Sequence, residues 1–128
     1  MGDRGKCKTI LVIEDDEGIS ETLKEIFQLE GYTVETAFNG QEALEMLKII
    51  ERPCLILLDM FMPVMNGWQF LEELKLTNGE GLTSIPIVIT SAAGDQAKEA
   101  SKKVRGYIKK PADINVLLDT AKKFCSNG

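Results

Sequence analysis

Leu55-Ile56-Leu57-Leu58-Asp59 sets four consecutive apolar residues in front of a carboxylate. An extended segment apolar on both faces is one covered on both sides, as in a parallel sheet, and Asp59 marks where it leaves the interior. The same design recurs elsewhere. Ile10-Leu11-Val12-Ile13 runs into Glu14-Asp15, Ile87-Val88-Ile89 into Thr90-Ser91, and Tyr107-Ile108 into Lys109-Lys110. In open α/β sheets ligands bind outside the carboxyl ends of the strands. These four runs therefore offer carboxylates, hydroxyls and an ammonium at one edge of one sheet.

The segments between the runs read as helices. Ile19, Leu23, Ile26 and Phe27 recur at helical spacing, and Gly31 supplies a stop. Residues 32–37 form a short second strand. Asn39 with Glu42 three residues later resembles a capping box for a helix carrying Ala43, Leu44 and Leu47. Asn66-Gly67 precedes a third helical pattern with Phe70, Leu71 and Leu74, and residues 77–84 read as a loop. A short, basic, weakly apolar helix is expected over residues 95–103. After Pro111, Ile114, Leu117, Leu118, Ala121 and Phe124 make a strong apolar stripe. The result is (βα)5, which implies a doubly wound five-stranded parallel sheet with helices on both faces. A common order for such a sheet is 2-1-3-4-5, and it makes neighbours of the four strands with polar ends.

A length of 128 residues suits one domain spanning 1–128, with a core over about 8–125 and loose ends outside it. The net charge of −5 argues against direct nucleic-acid binding. No apolar stretch is long enough for membrane insertion, and the first residues lack the apolar region of a signal peptide, so a cytoplasmic chain is expected. Histidine is absent, which excludes imidazole bases, His-ligated zinc and a phosphohistidine carrier role. Cys7, Cys54 and Cys125 are odd in number and far apart, so no disulfide framework is expected, and Cys54 reads as a small buried hydrophobe.

If the first and third strands are adjacent, Glu14, Asp15 and Asp59 lie within several ångströms of one another. Like charges at that range raise each other's pKa or demand a cation. An oxygen-rich, histidine-free site suits Mg²⁺ or Mn²⁺. An aspartate can attack phosphorus to form an acyl phosphate. Lys110 can pair with Asp59 at rest and with a phosphoryl oxygen afterwards, and Ser91 can donate a hydrogen bond to the same group. Taken singly, each residue has an ordinary reading: a helix N-cap, a turn hydroxyl, a surface lysine. Their coincidence at adjacent strand ends carries the case.

The same residues resemble the receiver domains of two-component response regulators, the CheY-like, flavodoxin-like fold, over about residues 8–125. Ile10-Leu11-Val12-Ile13-Glu14-Asp15-Asp16-Glu17 is similar to that family's first strand and acidic pair. Asp59-Met60-Phe61-Met62-Pro63-Val64-Met65-Asn66-Gly67 is similar to its phosphoacceptor loop. Pro86-Ile87-Val88-Ile89-Thr90-Ser91-Ala92 resembles its switch strand, and Tyr107-Ile108-Lys109-Lys110-Pro111 its Lys-Pro motif.

The resemblance implies Asp59 as the phosphoacceptor and modified residue, with Ser91 and Lys110 gripping the phosphoryl group. It implies Mg²⁺ held by Asp15, Asp59 and the Phe61 carbonyl, with Glu14 acting mainly through a metal-bound water. Ser91 and Tyr107 would form the switch, and Lys110-Pro111 would be cis. Asp16 and Glu17 would serve the helix N-terminus. The implied partners are a histidine kinase or histidine phosphotransfer protein and a downstream protein target.

Three departures stand out. Glu14 replaces the commoner Asp, Ala112 stands where Phe is frequent, and the stretch between Ser91 and Lys110 is short, so mobility is expected in its helix. Phe61 and Ala93 flank the site. Met62 and Met65 fit loop packing, and Trp68 fits packing on the third helix. No output domain is expected after the last helix, and the chain reads as a regulatory domain that catalyses only its own phosphorylation and dephosphorylation. A receiver excised from a hybrid kinase and a phosphorylation-independent interaction module remain alternatives. A small-substrate phosphatase would need an acid-base partner and a substrate pocket, for which no motif is found. A flavin-binding protein would need a phosphate loop where this chain has four acidic residues.

Overall fold

The computed structural model describes residues 8–77, 84–92 and 104–125. Its elements in chain order are β1 (Thr9–Ile13), α1 (Glu17–Leu29), β2 (Thr33–Ala37), α2 (Gly40–Leu47), β3 (Leu55–Asp59), α3 (Gly67–Thr77), β4 (Ile87–Ser91), β5 (Gly106–Lys109) and α4 (Ile114–Phe124). All strand pairs are parallel, in the order β2-β1-β3-β4-β5. This is the expected order. The helix expected over residues 95–103, with its mobility, lies outside the described residues, as does most of the 77–84 loop.

Strand alternation divides the core in two. Leu11, Ile13, Ile56, Leu58, Ile87 and Ile89 face one side of the sheet and pack with Ala43, Leu47, Phe70 and Leu74 of α2 and α3. Ile10, Val12, Leu55, Leu57 and Val88 face the other and pack with Leu23 and Phe27 of α1 and Leu117 and Ala121 of α4. Every residue of β1, β3 and β4 is buried, which explains why these strands are continuous apolar runs rather than alternating ones.

Local chemistry sets the element ends. Asp16 caps α1 by accepting the Ile19 N–H at 3.0 Å. Gly31, at φ +94°, lets the chain leave that helix in a left-handed turn. Asn39 accepts the Glu42 N–H at 2.8 Å while the Glu42 carboxylate accepts the Phe38 N–H, close to the capping box that the spacing predicts. Asn66 and Gln69 exchange reciprocal bonds of 2.9 Å at the start of α3. Asp113 caps α4.

One expectation is overturned. Cys54 and Cys125 form a disulfide, with their Cα atoms 5.1 Å apart and a separation of 71 positions in sequence. Distance along the chain misled, because in this topology the start of β3 and the end of α4 lie at the same edge of the sheet. Cys54 is nevertheless buried among apolar neighbours, as a small hydrophobe would be.

Candidate functional site

Three strand ends build the site. Glu14 directly follows β1, and its backbone N–H donates to the Ala37 carbonyl at 3.0 Å. Asp59 is the last residue of β3, two strand positions from Leu57, so it shares the face of the sheet that α1 and α4 cover. Lys110 follows β5, and its backbone N–H donates to the Ser91 carbonyl at 3.1 Å, which docks it beside the end of β4. The Lys110-Pro111 peptide is cis, as expected.

These placements bring carboxylate oxygens of Glu14, Asp15 and Asp59 within 4.8 Å of one another. Glu14 and Asp59 are buried (2% and 5% exposed) and Asp15 is exposed. The Lys110 ammonium lies 2.6 Å from Glu14 and 3.7 Å from Asp59. The expected ion pair with Asp59 is thus present, while the shorter contact, a hydrogen bond, goes to Glu14. A second Glu14 oxygen accepts the Asp16 N–H at 3.1 Å. Asp16 itself caps α1, so the acidic run divides as its register implies: Glu14 and Asp15 join the cluster, Asp16 the helix.

Burial pushes the Asp59 carboxyl up to about 6, with Glu14 pushing the same way; Lys110 and the Phe61 amide pull it down, and Asp15 adds a smaller upward push. One ammonium does not balance three clustered carboxylates. The donor set is all oxygen and open on the Asp15 side, which fits a hard divalent cation that keeps waters and does not fit a soft one.

The remaining predicted residues surround this cluster. Phe61 follows Asp59 by two positions and donates its backbone N–H to Asp59 Oδ1 at 3.4 Å. Ser91 ends β4 one residue beyond Thr90, the register partner of Asp59, and is fully buried. Tyr107 sits half-buried in β5, and its hydroxyl donates to the Ser91 carbonyl at 3.2 Å. Met62 is buried and Met65 half-buried against the α2–α3 core. Trp68 is half-buried there too, and also packs on Phe61, a contact the spacing did not reveal. Ala93 lies outside the described residues.

Ala112 lines a groove of about 640 Å³ between α1 and α4 with Ile19, Ile26 and Ile114. Ile19 and Ile114 are consequently more exposed than their place in the apolar stripes suggests.

With this geometry in view, comparison with known proteins defines the class. The response regulator receiver domain model matches residues 10–122, and the chain belongs to that family. It is 36% identical over 118 residues to sporulation initiation phosphotransferase F of Bacillus subtilis, covering 90% of this chain and 91% of that protein. It is 38% identical over 120 residues to the transcriptional regulatory protein CrdR of Helicobacter pylori, covering 91% of this chain and 54% of that protein. The chain thus spans about half of CrdR and nearly all of the phosphotransferase. Among solved structures, the signal receiver domain of a signal transduction histidine kinase from Syntrophus aciditrophicus superposes with a TM-score of 0.82 at 31% identity, covering 94% of this chain and 91% of that one. The fold is CheY-like, and the protein is regulatory in nature. Among the described residues, no helix is long and apolar enough to cross a membrane.

Proposed function

We propose that this chain is a phosphoacceptor in a His-to-Asp pathway, acting as a switch or a relay, with Asp59 as the modified residue. The supporting observation is the convergence of Glu14, Asp15 and Asp59 within 4.8 Å beside the Lys110 ammonium. The donor is a phosphohistidine on a histidine kinase or a histidine phosphotransfer protein, and a downstream protein target reads the result in the cytoplasm. In the transfer, an Asp59 oxygen attacks phosphorus, the P–N bond breaks, and the imidazole leaves with the bond's electron pair and takes a proton from solvent.

Asp15, Asp59 and the Phe61 carbonyl would hold Mg²⁺, or Mn²⁺, with Glu14 acting through water. The ion's contribution, when bound, is to neutralise charge on the phosphoryl group. The chain's own residues do the rest. Lys110 moves its ammonium from Glu14 and Asp59 to a phosphoryl oxygen. Ser91 donates its hydroxyl to another. Tyr107, bonded to the Ser91 carbonyl, is coupled to any movement there and carries the signal away from the site.

The test is incubation with Mg²⁺ and acetyl phosphate, followed by intact mass. A single phosphoryl adduct that is absent in Asp59→Asn supports the reading. No adduct from acetyl phosphate or from a phosphohistidine donor overturns it.

A further inference from the structure

Phe61 is unusual in the loop that follows Asp59. Its backbone N–H reaches Asp59 Oδ1, yet its ring is about half exposed (47%) rather than buried with Met60 and Met62 on either side. A half-exposed ring at a loop position is held only by what it touches. One such contact is with Trp68, whose ring meets Phe61 edge-to-face at 5.1 Å between centroids and 75° between planes. Pairs of this geometry contribute beyond the area they bury.

Trp68 is itself well anchored. It is the second residue of α3 and packs against the α2–α3 core. The preceding Gly67 is clamped to the strand end: its N–H donates to the Met60 carbonyl at 3.0 Å, and a Cβ there would stand 2.8 Å from Met60 Cα and 2.9 Å from the Asp59 carbonyl oxygen. The start of α3 is thus fixed to the backbone of Asp59 and Met60. From that fixed point the Trp68 ring reaches the next residue of the loop.

We propose that Trp68 is a positioning residue for the phosphoacceptor loop, fixing Phe61 through its ring and, through the Phe61 backbone, the setting of the Asp59 carboxylate. The inference rests on the phosphoacceptor reading above. It assigns Trp68 no contact with the phosphoryl group or the ion. Its effect passes through Phe61, so an aromatic substitute should retain most of it and alanine should not.

The chain's single tryptophan makes the test direct, since its fluorescence reports on this residue alone. Mg²⁺ is titrated by calorimetry and by fluorescence, and adduct formation with acetyl phosphate is followed by intact mass. In the wild type, Mg²⁺ should change Trp68 emission, and Phe61→Ala should remove most of that change while Mg²⁺ binding remains measurable by calorimetry. Trp68→Ala should weaken Mg²⁺ binding and slow adduct formation by about threefold to tenfold, and Trp68→Phe should stay within about twofold of wild type. If Trp68→Ala does not fold, the emission change and its loss in Phe61→Ala decide the matter.

Emission indifferent to Mg²⁺, or a folded Trp68→Ala equal to wild type in affinity and rate, overturns the assignment alone. A wild type that neither binds Mg²⁺ by calorimetry nor gains a phosphoryl group overturns the phosphoacceptor reading and this assignment together.

Discussion

At the carboxyl edge of the sheet, buried Glu14 and Asp59 face each other with Asp15 nearby, and Lys110 alone among the described residues offers a cation within reach. At the amino edge, the start of β3 is tied down repeatedly. Cys54 is bonded to Cys125, its N–H donates to the Thr9 carbonyl at 2.9 Å, and the Arg52 side chain beside it donates to the Ser84 hydroxyl. Arg105 and Lys123 both stack over Phe124 near the same end. One edge gathers like charges that oppose folding, and the other gathers contacts that favour it. The same strand, β3, carries Asp59 at one end and adjoins Cys54 at the other. Chemistry and stability are thus separated along a single extended segment.

The sharpest way to break this contrast is to remove the disulfide. Closing a loop whose ends are 71 positions apart restricts the unfolded chain, and the chain-entropy relation gives about 4 kcal/mol for that length. Reduction, or the double substitution Cys54→Ala with Cys125→Ala, should lower Tm by roughly 10 °C or more. Phosphorylation from acetyl phosphate, measured well below that Tm, should continue at the wild-type rate, because the bond lies at the edge opposite Asp59. Equal melting with and without reductant would show that the amino edge does not depend on the bond. A matching loss of phosphorylation rate would show that the two edges are not separate.

A smaller effect of opposite sign belongs to the carboxyl edge. The Asp59 carboxyl sits at about 6 in the folded protein against an ordinary value of 3.8, so the folded state binds the proton more tightly than the unfolded one. That contribution to stability is fully present below about pH 4 and is lost as pH rises through about 6. Asp59→Asn removes the charge, so the variant should be more stable than wild type at pH 7.5 without divalent ions. Solvent reaching the site reduces the gain to about 1–2 kcal/mol. The gain should shrink toward zero near pH 4, where wild-type Asp59 is protonated in the folded state and roughly half protonated in the unfolded one. Adding Mg²⁺ should also shrink it, by stabilising the wild type. Paired thermal melts at pH 4 and 7.5, with and without Mg²⁺, check both signs. A variant less stable than wild type at pH 7.5 would show that Asp59 is a structural carboxylate.

How much of this was legible in the sequence differs between the two edges for a physical reason. Strand ends are marked by a change from apolar to polar residues, so Glu14, Asp15, Asp59, Ser91 and Lys110 could be picked out from the runs before them. The sheet order followed from βα alternation, which leaves few topologies. The caps at Asp16 and Asn39 were legible because capping acts over three or four residues. The Cys54–Cys125 bond was not, since nothing near either cysteine marks it and only the assembled fold brings them together. The preference of Lys110 for Glu14 over Asp59 was hidden for the same reason: it depends on side-chain reach across three strands. The Phe61–Trp68 contact lay between these cases. Both residues were noted, but a loop of irregular backbone gives no periodicity from which to predict that they meet.

That irregular loop also carries the least expected backbone in the chain. Val64, exposed and β-branched, sits at φ +65°, where a side chain with two groups on Cβ crowds its own backbone. Among the described non-glycine residues it is the one with positive φ, and it lies in the phosphoacceptor loop at the carboxyl edge. The Gly67 N–H to the Met60 carbonyl closes the loop around Val64, and the Gly40 N–H donates to the carbonyl of the next residue, Met65, at 2.9 Å, so Val64 has little freedom to relax. Strain of this kind persists where the surroundings over-determine a conformation. Val64→Gly relieves the crowding and also loosens the unfolded chain, and the two effects oppose each other. The net should be a gain of about 0.5–1 kcal/mol, or a few degrees in Tm, the smallest of the effects considered. Mg²⁺ affinity should change little, because the backbone path from Asp59 to Phe61 and the Trp68 contact are untouched. A Tm lowered by the glycine would mean that Val64 is not strained in the loop, and the carboxyl edge would then owe its lower stability to charge alone.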